Sequence, residues 1–299
     1  MMKTSLNVAI LCSASLLALS ACKSLPGGDN SALEAAEAAA PAFDGTALAT
    51  VVDGRSDEEK ARDEWRNPGE TLAFFGVTPD MTVVETLPGG GWYSRILVPY
   101  LDDAGEYAAA NYSVEMFEKV LPNPSEETMN RIRGWAAGFP DQAAMWGATG
   151  DVTAFHFGEM RDEMKEKADA VLMIRALHNF NRAGGDYGAV ALAETYAMLK
   201  PGGVLGVVQH RANPDAEGAD ADGSLGYMSE EAVVAMVEAA GFVLEEKSDI
   251  NANPADNPAS GEFVWRLPPS FAMGDQNRDA FAAIGETDRM TMRFRKPAE

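Results

Sequence analysis

Thr82-Val83-Val84-Glu85-Thr86-Leu87-Pro88-Gly89-Gly90-Gly91-Trp92-Tyr93-Ser94 runs from an apolar strand into an acid, a glycine cluster and an amphipathic segment. That is the order of a strand, a tight turn and a helix start in an α/β domain that binds a nucleotide. Glycines let the backbone turn sharply and approach a ligand without a Cβ in the way, and the helix N-terminus offers free N–H groups beside them. The acid stands ahead of the glycines, which points to a ligand with a cationic or hydroxyl-bearing part rather than a bare pyrophosphate.

Outward from this turn, strands and helices alternate. Upstream, Ser56 can cap a helix through Glu58, Glu59, Ala61, Trp65 and Arg66, with acids in its first turn. Asn67-Pro68-Gly69-Glu70 offers a cap, a proline at the first helical position and an acid at the third; the helix it opens runs through Leu72, Phe74 and Phe75 to Gly76. Downstream, 92–101 reads as a helix, 106–110 as a short strand, 115–121 and 126–137 as helices and 152–157 as a strand. Asp169-Ala170-Val171-Leu172-Met173-Ile174-Arg175 is a continuous apolar run of the kind buried on both faces of a parallel sheet. A helix over 187–199 ends in Lys200-Pro201-Gly202-Gly203, a stop of cation, proline and glycines, before a strand over 204–208. Ser229 caps a helix over 230–240 ended by Gly241, 242–245 is a strand, and 290–295 alternates as a terminal strand. Strands separated by helices imply βαβ units and a mostly parallel sheet with helices on both faces.

The first residues carry a second signal. Lys3 is a positive n-region, and 8–19 is an apolar core of signal-peptide length, too short for a comfortable membrane span. It ends in Leu19-Ser20-Ala21-Cys22, which resembles the lipobox of bacterial lipoproteins, whose cysteine is lipidated and becomes the new N-terminus. The plainer reading is an ordinary secretory signal with a chance cysteine. The lipobox implies a signal peptide over 1–21, a tether rich in Ala, Gly, Pro and Ser over 22–50 and a folded domain over 51–299. The expected location is then the periplasmic side of the inner or outer membrane, with a lipid anchor on Cys22; Lys23 leaves out the acidic inner-membrane retention signal of some bacteria. The only two cysteines are Cys12 and Cys22, and cleavage would remove Cys12, so neither an intramolecular disulfide nor a cysteine metal site is expected.

A chain of 299 residues that is 46% hydrophobic can bury the core of one large α/β domain or two small ones. Its formal net charge of −22 repels nucleic acid and anionic headgroups, which argues against DNA and RNA as substrates; the simplest role of the charge is to keep the surface soluble.

The glycine turn after Glu85, the strand 169–174, Leu199-Lys200-Pro201-Gly202-Gly203 and Ala239-Ala240-Gly241-Phe242 stand in the order found in class I S-adenosylmethionine-dependent methyltransferases. The chain resembles that family. It is most similar to a bacterial subgroup of predicted methyltransferases, through Glu70-Thr71-Leu72-Ala73-Phe74-Phe75-Gly76-Val77, Pro88-Gly89-Gly90-Gly91-Trp92-Tyr93, Arg175-Ala176-Leu177-His178-Asn179, His210-Arg211-Ala212 and Arg293-Phe294-Arg295-Lys296-Pro297. The resemblance covers 51 to the C-terminus. It implies a Rossmann-like methyltransferase fold, α/β, with a mostly parallel seven-stranded sheet, helices on both faces and an antiparallel terminal strand. It implies S-adenosylmethionine as cofactor, with Gly89, Gly90 and Gly91 under its methionine part, Glu85 fixing the polar end, Asn111 at the ribose hydroxyls and His156 near the adenine. Two positions depart from the family pattern: Leu87 stands where its first glycine is usual, and Asn111 where an acid is usual.

Methyl transfer from a sulfonium requires alignment and a place for a proton more than covalent help. Candidate groups belong at the carboxyl ends of the strands, where open α/β sheets bind ligands. His178 and His210 fall there, each near an arginine. Either histidine alone reads most simply as a satisfied structural residue. Together they suggest a general base or polar clamp, with Arg175 and Arg211 holding an anionic or carbonyl-bearing small-molecule substrate. There is no Asn/Asp-Pro-Pro-aromatic motif to hold a base nitrogen, and no histidine–carboxylate spacing for a metal. Asp215, Glu217, Asp220 and Asp222 fail the calcium-loop spacing and read as a solvated flap or a lid.

Two other functions compete. A nicotinamide-dependent oxidoreductase would need a third glycine where Ser94 stands. A non-catalytic, ligand-binding lipoprotein on a degenerate methyltransferase scaffold fits the departures at Leu87 and Asn111, and an exported domain would be separated from a cofactor made in the cytoplasm.

Overall fold

The computed structural model describes residues 45–101 and 104–298. The signal-peptide and lipidation readings, Cys22 among them, lie outside these residues.

Seven strands form one mixed sheet: β1 (Thr82–Thr86), β2 (Glu106–Asn111), β3 (Thr153–His156), β4 (Ala168–Ile174), β5 (Leu199–His210), β6 (Val243–Ser248) and β7 (Arg289–Arg295). Their order is β3-β2-β1-β4-β5-β7-β6. The pairs from β3 through β5 are parallel, whereas β7 runs antiparallel between β5 and β6. The mostly parallel sheet with an antiparallel terminal strand agrees with the expected fold. Strand order reverses between β1 and β4, so the sheet has a topological switch point there.

The described helices are α1 (Gly45–Gly54), α2 (Asp57–Lys60), α3 (Asp63–Arg66), α4 (Pro68–Phe75), α5 (Ser94–Leu101), α6 (Val114–Val120), α7 (Glu126–Arg133), α8 (Trp135–Ala144), α9 (Leu177–Ala183), α10 (Tyr187–Met198), α11 (Glu230–Glu238) and α12 (Arg278–Ile284). The period-2 alternation of the strands divides the core between the two faces of the sheet. Val84, Val171, Met173, Leu205 and Val207 meet Phe180 of α9, Leu192 of α10 and Val233 of α11. Val83, Leu172 and Val208 meet Phe75 of α4, Ile96 and Leu97 of α5 and Phe139 of α8. Gly206 makes room for this second layer: a Cβ there would lie 2.7 Å from the Phe75 ring.

Four local readings change. The fold begins earlier than 51, because Leu48, Val51 and Val52 form one helical stripe across that boundary; Leu48 is buried and α1 packs on α4 and α5. The helix expected from Ser56 to Arg66 breaks into α2 and α3, although Ser56 does form a capping box with Glu59. Asn67 is no side-chain cap. It sits at φ +39° and its amide donates to the Ile250 carbonyl at 2.7 Å. Finally, Lys200-Pro201-Gly202-Gly203 is the irregular start of β5 rather than a separate turn, with a register shift opposite Ala168 and Ala170. No helix among the described residues is long and apolar enough to cross a membrane.

Candidate functional site

The carboxyl ends of β1, β4 and β5 open onto a cleft of about 280 Å³ at the switch point, lined by Leu87, Tyr112, Arg175, His178, His210 and Glu286 among others. Two of its walls are backbone outliers. Leu87 stands at φ +54° after β1, and Arg175 at φ +59° after β4. A non-glycine residue in the left-handed region costs about 1–2 kcal/mol. Sheet-edge bonds hold both in place: Leu87 N–H donates to the Ala110 carbonyl at 2.7 Å and Arg175 N–H to that of Val208 at 2.6 Å. Leu87 thus holds the left-handed backbone that favours glycine.

The fold brings the two histidines together. His178 lies in the first turn of α9 and His210 ends β5, and their ring centroids are 5.2 Å apart. His178 Nδ1 faces Gln209 Oε1 at 3.3 Å, and His210 Nδ1 faces Thr287 Oγ1 at 2.6 Å. Burial pushes the His178 imidazole down to about 4, against the opposing effect of its Gln209 bond. Burial, with repulsion from His178 and Arg175, holds His210 well below the usual histidine range. Both rings are neutral at pH 7. Each can accept a hydrogen bond, and as a weak base each takes a proton only from a group made acidic at the site.

The two arginines part company. Arg175 lines the cleft half-buried, and its guanidinium has no hydrogen bond or ion pair among the described residues. Arg211 is committed elsewhere: its guanidinium meets Asp288 at 2.8 and 3.0 Å, Asp249 at 2.9 Å and Glu230 at 3.2 Å, which holds its ionisation above the usual range. Neighbours on a strand point to opposite faces, so adjacency to His210 takes Arg211 away from the cleft.

The positions assigned to the cofactor are mostly engaged within the chain. A Cβ on Gly90 would meet nothing within 4 Å and one on Gly89 (φ +56°) only the Leu87 carbonyl oxygen at 3.8 Å, which suits close approach of a ligand. Gly91 instead packs on Trp146, whose ring a Cβ would meet at 2.2 Å. Glu85 is buried and accepts from Ser94 Oγ and Tyr107 Oη, each at 2.6 Å; burial outweighs these bonds and raises its carboxyl to about 7. Asn111 is half-buried and its Oδ1 accepts from the Tyr112 N–H at 2.9 Å. His156 is buried with Nδ1 2.6 Å from the Tyr112 carbonyl and Nε2 3.1 Å from that of Ile132. For S-adenosylmethionine the fit is thus partial: the turn and the cleft suit it, whereas Glu85 Oε2 and both ring nitrogens of His156 are engaged within the chain.

The acidic loop is pinned rather than a free flap. Asp220 accepts from Ser260 Oγ and Gly261 N–H, and Asn181 donates to the Asp222 carbonyl. Gly223 (φ +92°) lies on the His178 backbone, which a Cβ would meet at 3.1 Å. No cluster among the described residues could hold a metal ion.

A group of residues that the sequence did not reveal stands behind Arg175. Glu286 binds Arg66 at 3.1 Å and Arg289 at 3.2 Å, and also pairs with Arg62. Burial raises the Glu286 carboxyl, but Arg289, Arg66 and Arg62 outweigh this and hold it below its usual range.

No protein-family model matches the chain, and no curated protein matches it. Among solved structures the chain is similar to the [4+2]-cyclase SpnF, at 16% identity over 84% of this chain and 92% of that one, with a TM-score of 0.49. It is also similar to a SAM-dependent methyltransferase from Aquifex aeolicus, at 18% identity over 70% and 94%, with a TM-score of 0.45. A third is the Burkholderia thailandensis 1,6-didemethyltoxoflavin-N1-methyltransferase with bound 1,6-didemethyltoxoflavin and S-adenosylhomocysteine, at 16% identity over 84% and 85%, with a TM-score of 0.42.

Proposed function

We propose that the chain is an S-adenosylmethionine-dependent methyltransferase acting on a small molecule. One observation carries this reading: Leu87, which leads from β1 into the glycine turn, and the His178–His210 pair line one cleft at the switch point of the sheet. Gly89 and Gly90 would pass beneath the cofactor's methionine part, and Asn111 would meet its ribose. Bound there, the cofactor would supply an activated methyl group. The chain's own residues orient the acceptor and screen it from water, and the neutral imidazole of His178 or His210 receives its proton.

Calorimetry with S-adenosylmethionine and S-adenosylhomocysteine tests the reading. Binding and a raised melting temperature are expected; at a hundredfold excess over Kd a ligand adds about 2.7 kcal/mol of stability. Once an acceptor is known, His178→Ala and His210→Ala are expected to lower turnover by about 10²–10⁴-fold for whichever ring takes the proton. Turnover intact in both variants would remove the histidines from the mechanism.

The inward-turned ring of His156, with both nitrogens against backbone carbonyls, favours a second reading, a ligand-binding protein without methyl transfer. A missing melting shift at millimolar cofactor would select it.

A further inference from the structure

Within a chain of net charge −22, positive charge is concentrated at one place. Arg62, Arg66, Arg175 and Arg289 come from three distant stretches of sequence to surround one carboxylate, Glu286, so three positive charges stand in excess. Arg66, Arg289 and Glu286 are each about 3% exposed, so solvent screens them little. Burial and mutual repulsion push Arg66 down to about 9 and Arg175 down to about 10, and both remain charged at pH 7.

Three of these cations have a partner in Glu286. Arg175 feels Glu286 only at a distance and has no hydrogen bond or ion pair among the described residues, and it is the one that lines the cleft. Its backbone is held in a left-handed conformation that a side chain rarely adopts, and strain of this kind persists where the surrounding structure imposes it. The rest of the lining carries no second cation and one carboxylate, Glu286, whose charge Arg62, Arg66 and Arg289 take up; His178 and His210 are neutral, and Leu87, Val264, Trp265 and Pro268 are apolar. The volume of about 280 Å³ lies just below the usual range for small-molecule pockets, about 300–1,000 Å³.

We propose that the cleft selects a small organic acid, whose carboxylate or phosphate sits on the Arg175 guanidinium and whose apolar body lies against Leu87, Trp265 and Pro268. This rests on the cleft being the acceptor site of the proposed methyltransferase, and it decides for an anion over a neutral carbonyl. Glu286 tunes the site: it neutralises part of the cluster, so the apo protein tolerates the excess charge, and leaves Arg175 for the ligand. A planar guanidinium binds such oxyanions through two parallel N–H bonds.

The test compares benzoate, benzamide and inorganic phosphate as melting-shift probes at matched low ionic strength with no cofactor present, so a chain that fails to bind S-adenosylmethionine still gives an answer. Benzoate or phosphate in large excess is expected to raise the melting temperature of the wild type by roughly 5 °C or more, benzamide to leave it unchanged, and Arg175→Gln to abolish the response. Arg175→Lys keeps the charge without the fork and is expected to retain part of it. Equal responses to benzoate and benzamide, no response to either anion, or a wild-type response in Arg175→Gln would overturn the proposal. So would an Arg175→Gln variant that loses S-adenosylhomocysteine binding by calorimetry yet keeps its benzoate shift, because the guanidinium would then serve the cofactor. If neither variant folds, the wild-type difference between benzoate and benzamide decides the question.

Discussion

The two sides of the switch-point cleft are built on opposite principles. On the β1–β2–β3 side, Glu85 Oε2, Asn111 Oδ1 and both ring nitrogens of His156 find partners inside the chain: two hydroxyls, a backbone N–H and two carbonyls. On the β4–β5–β7 side, three guanidinium groups share the Glu286 carboxylate, and Arg175 beside them has no hydrogen bond or ion pair among the described residues. Buried polar groups that are satisfied contribute to the fold, whereas uncompensated charge is costly and persists where a ligand completes it. By this criterion the second side is the one proposed to carry the specificity.

The largest effect is expected from Glu286→Gln. Removing one partner of a buried ion pair leaves its cations uncompensated, a loss of about 3–5 kcal/mol. Three arginines depend on this carboxylate, so urea unfolding is expected to show a cost in the upper part of that range. A neutral result would mean that Arg62, Arg66 and Arg289 are hydrated enough to do without it. The contrast between the two sides would then collapse.

Much of the β1 side was legible in the sequence. The run 82–94 shows strand, acid and glycines in order, and 169–175 is a continuous apolar strand; both signals are local, and both elements stand where expected. His178 and His210 were also within reach, since a histidine at a strand's carboxyl end needs only the strand to be placed. Arg211 misled because a strand sends neighbouring side chains to opposite faces. The arginine cluster was out of reach. Arg66 and Glu286 are 220 residues apart, and nothing periodic in 249–288 announces that this segment returns to the cleft. The Leu87 position was legible as a departure from the glycine pattern, but its φ of +54° was not, because a sequence shows which residue stands at a turn and not whether the backbone yields to it.

The comparison can be sharpened at Glu85, with a smaller expected effect. Its folded pKa of about 7 lies above the ordinary value of 4.5, burial being the cause. Between those values the folded protein keeps a proton that the unfolded chain has released. Stability is therefore full below about pH 4.5, falls as pH rises toward 7 and levels off above it. A shift of this size corresponds to about 3 kcal/mol. In Glu85→Gln the amide is neutral at every pH, as the protonated carboxyl is, and its oxygen can still accept from Ser94 and Tyr107. The variant is expected to match the wild type near pH 4, to lose the decline between pH 4.5 and 7, and to be the more stable protein at pH 8. Thermal unfolding across that range measures it. A wild-type profile with no decline there would mean that Glu85 is already ionised in the folded protein at low pH. It would then be a buried anion beside the glycine turn, suited to a cationic ligand such as a sulfonium, and both sides of the cleft would hold charge awaiting a partner.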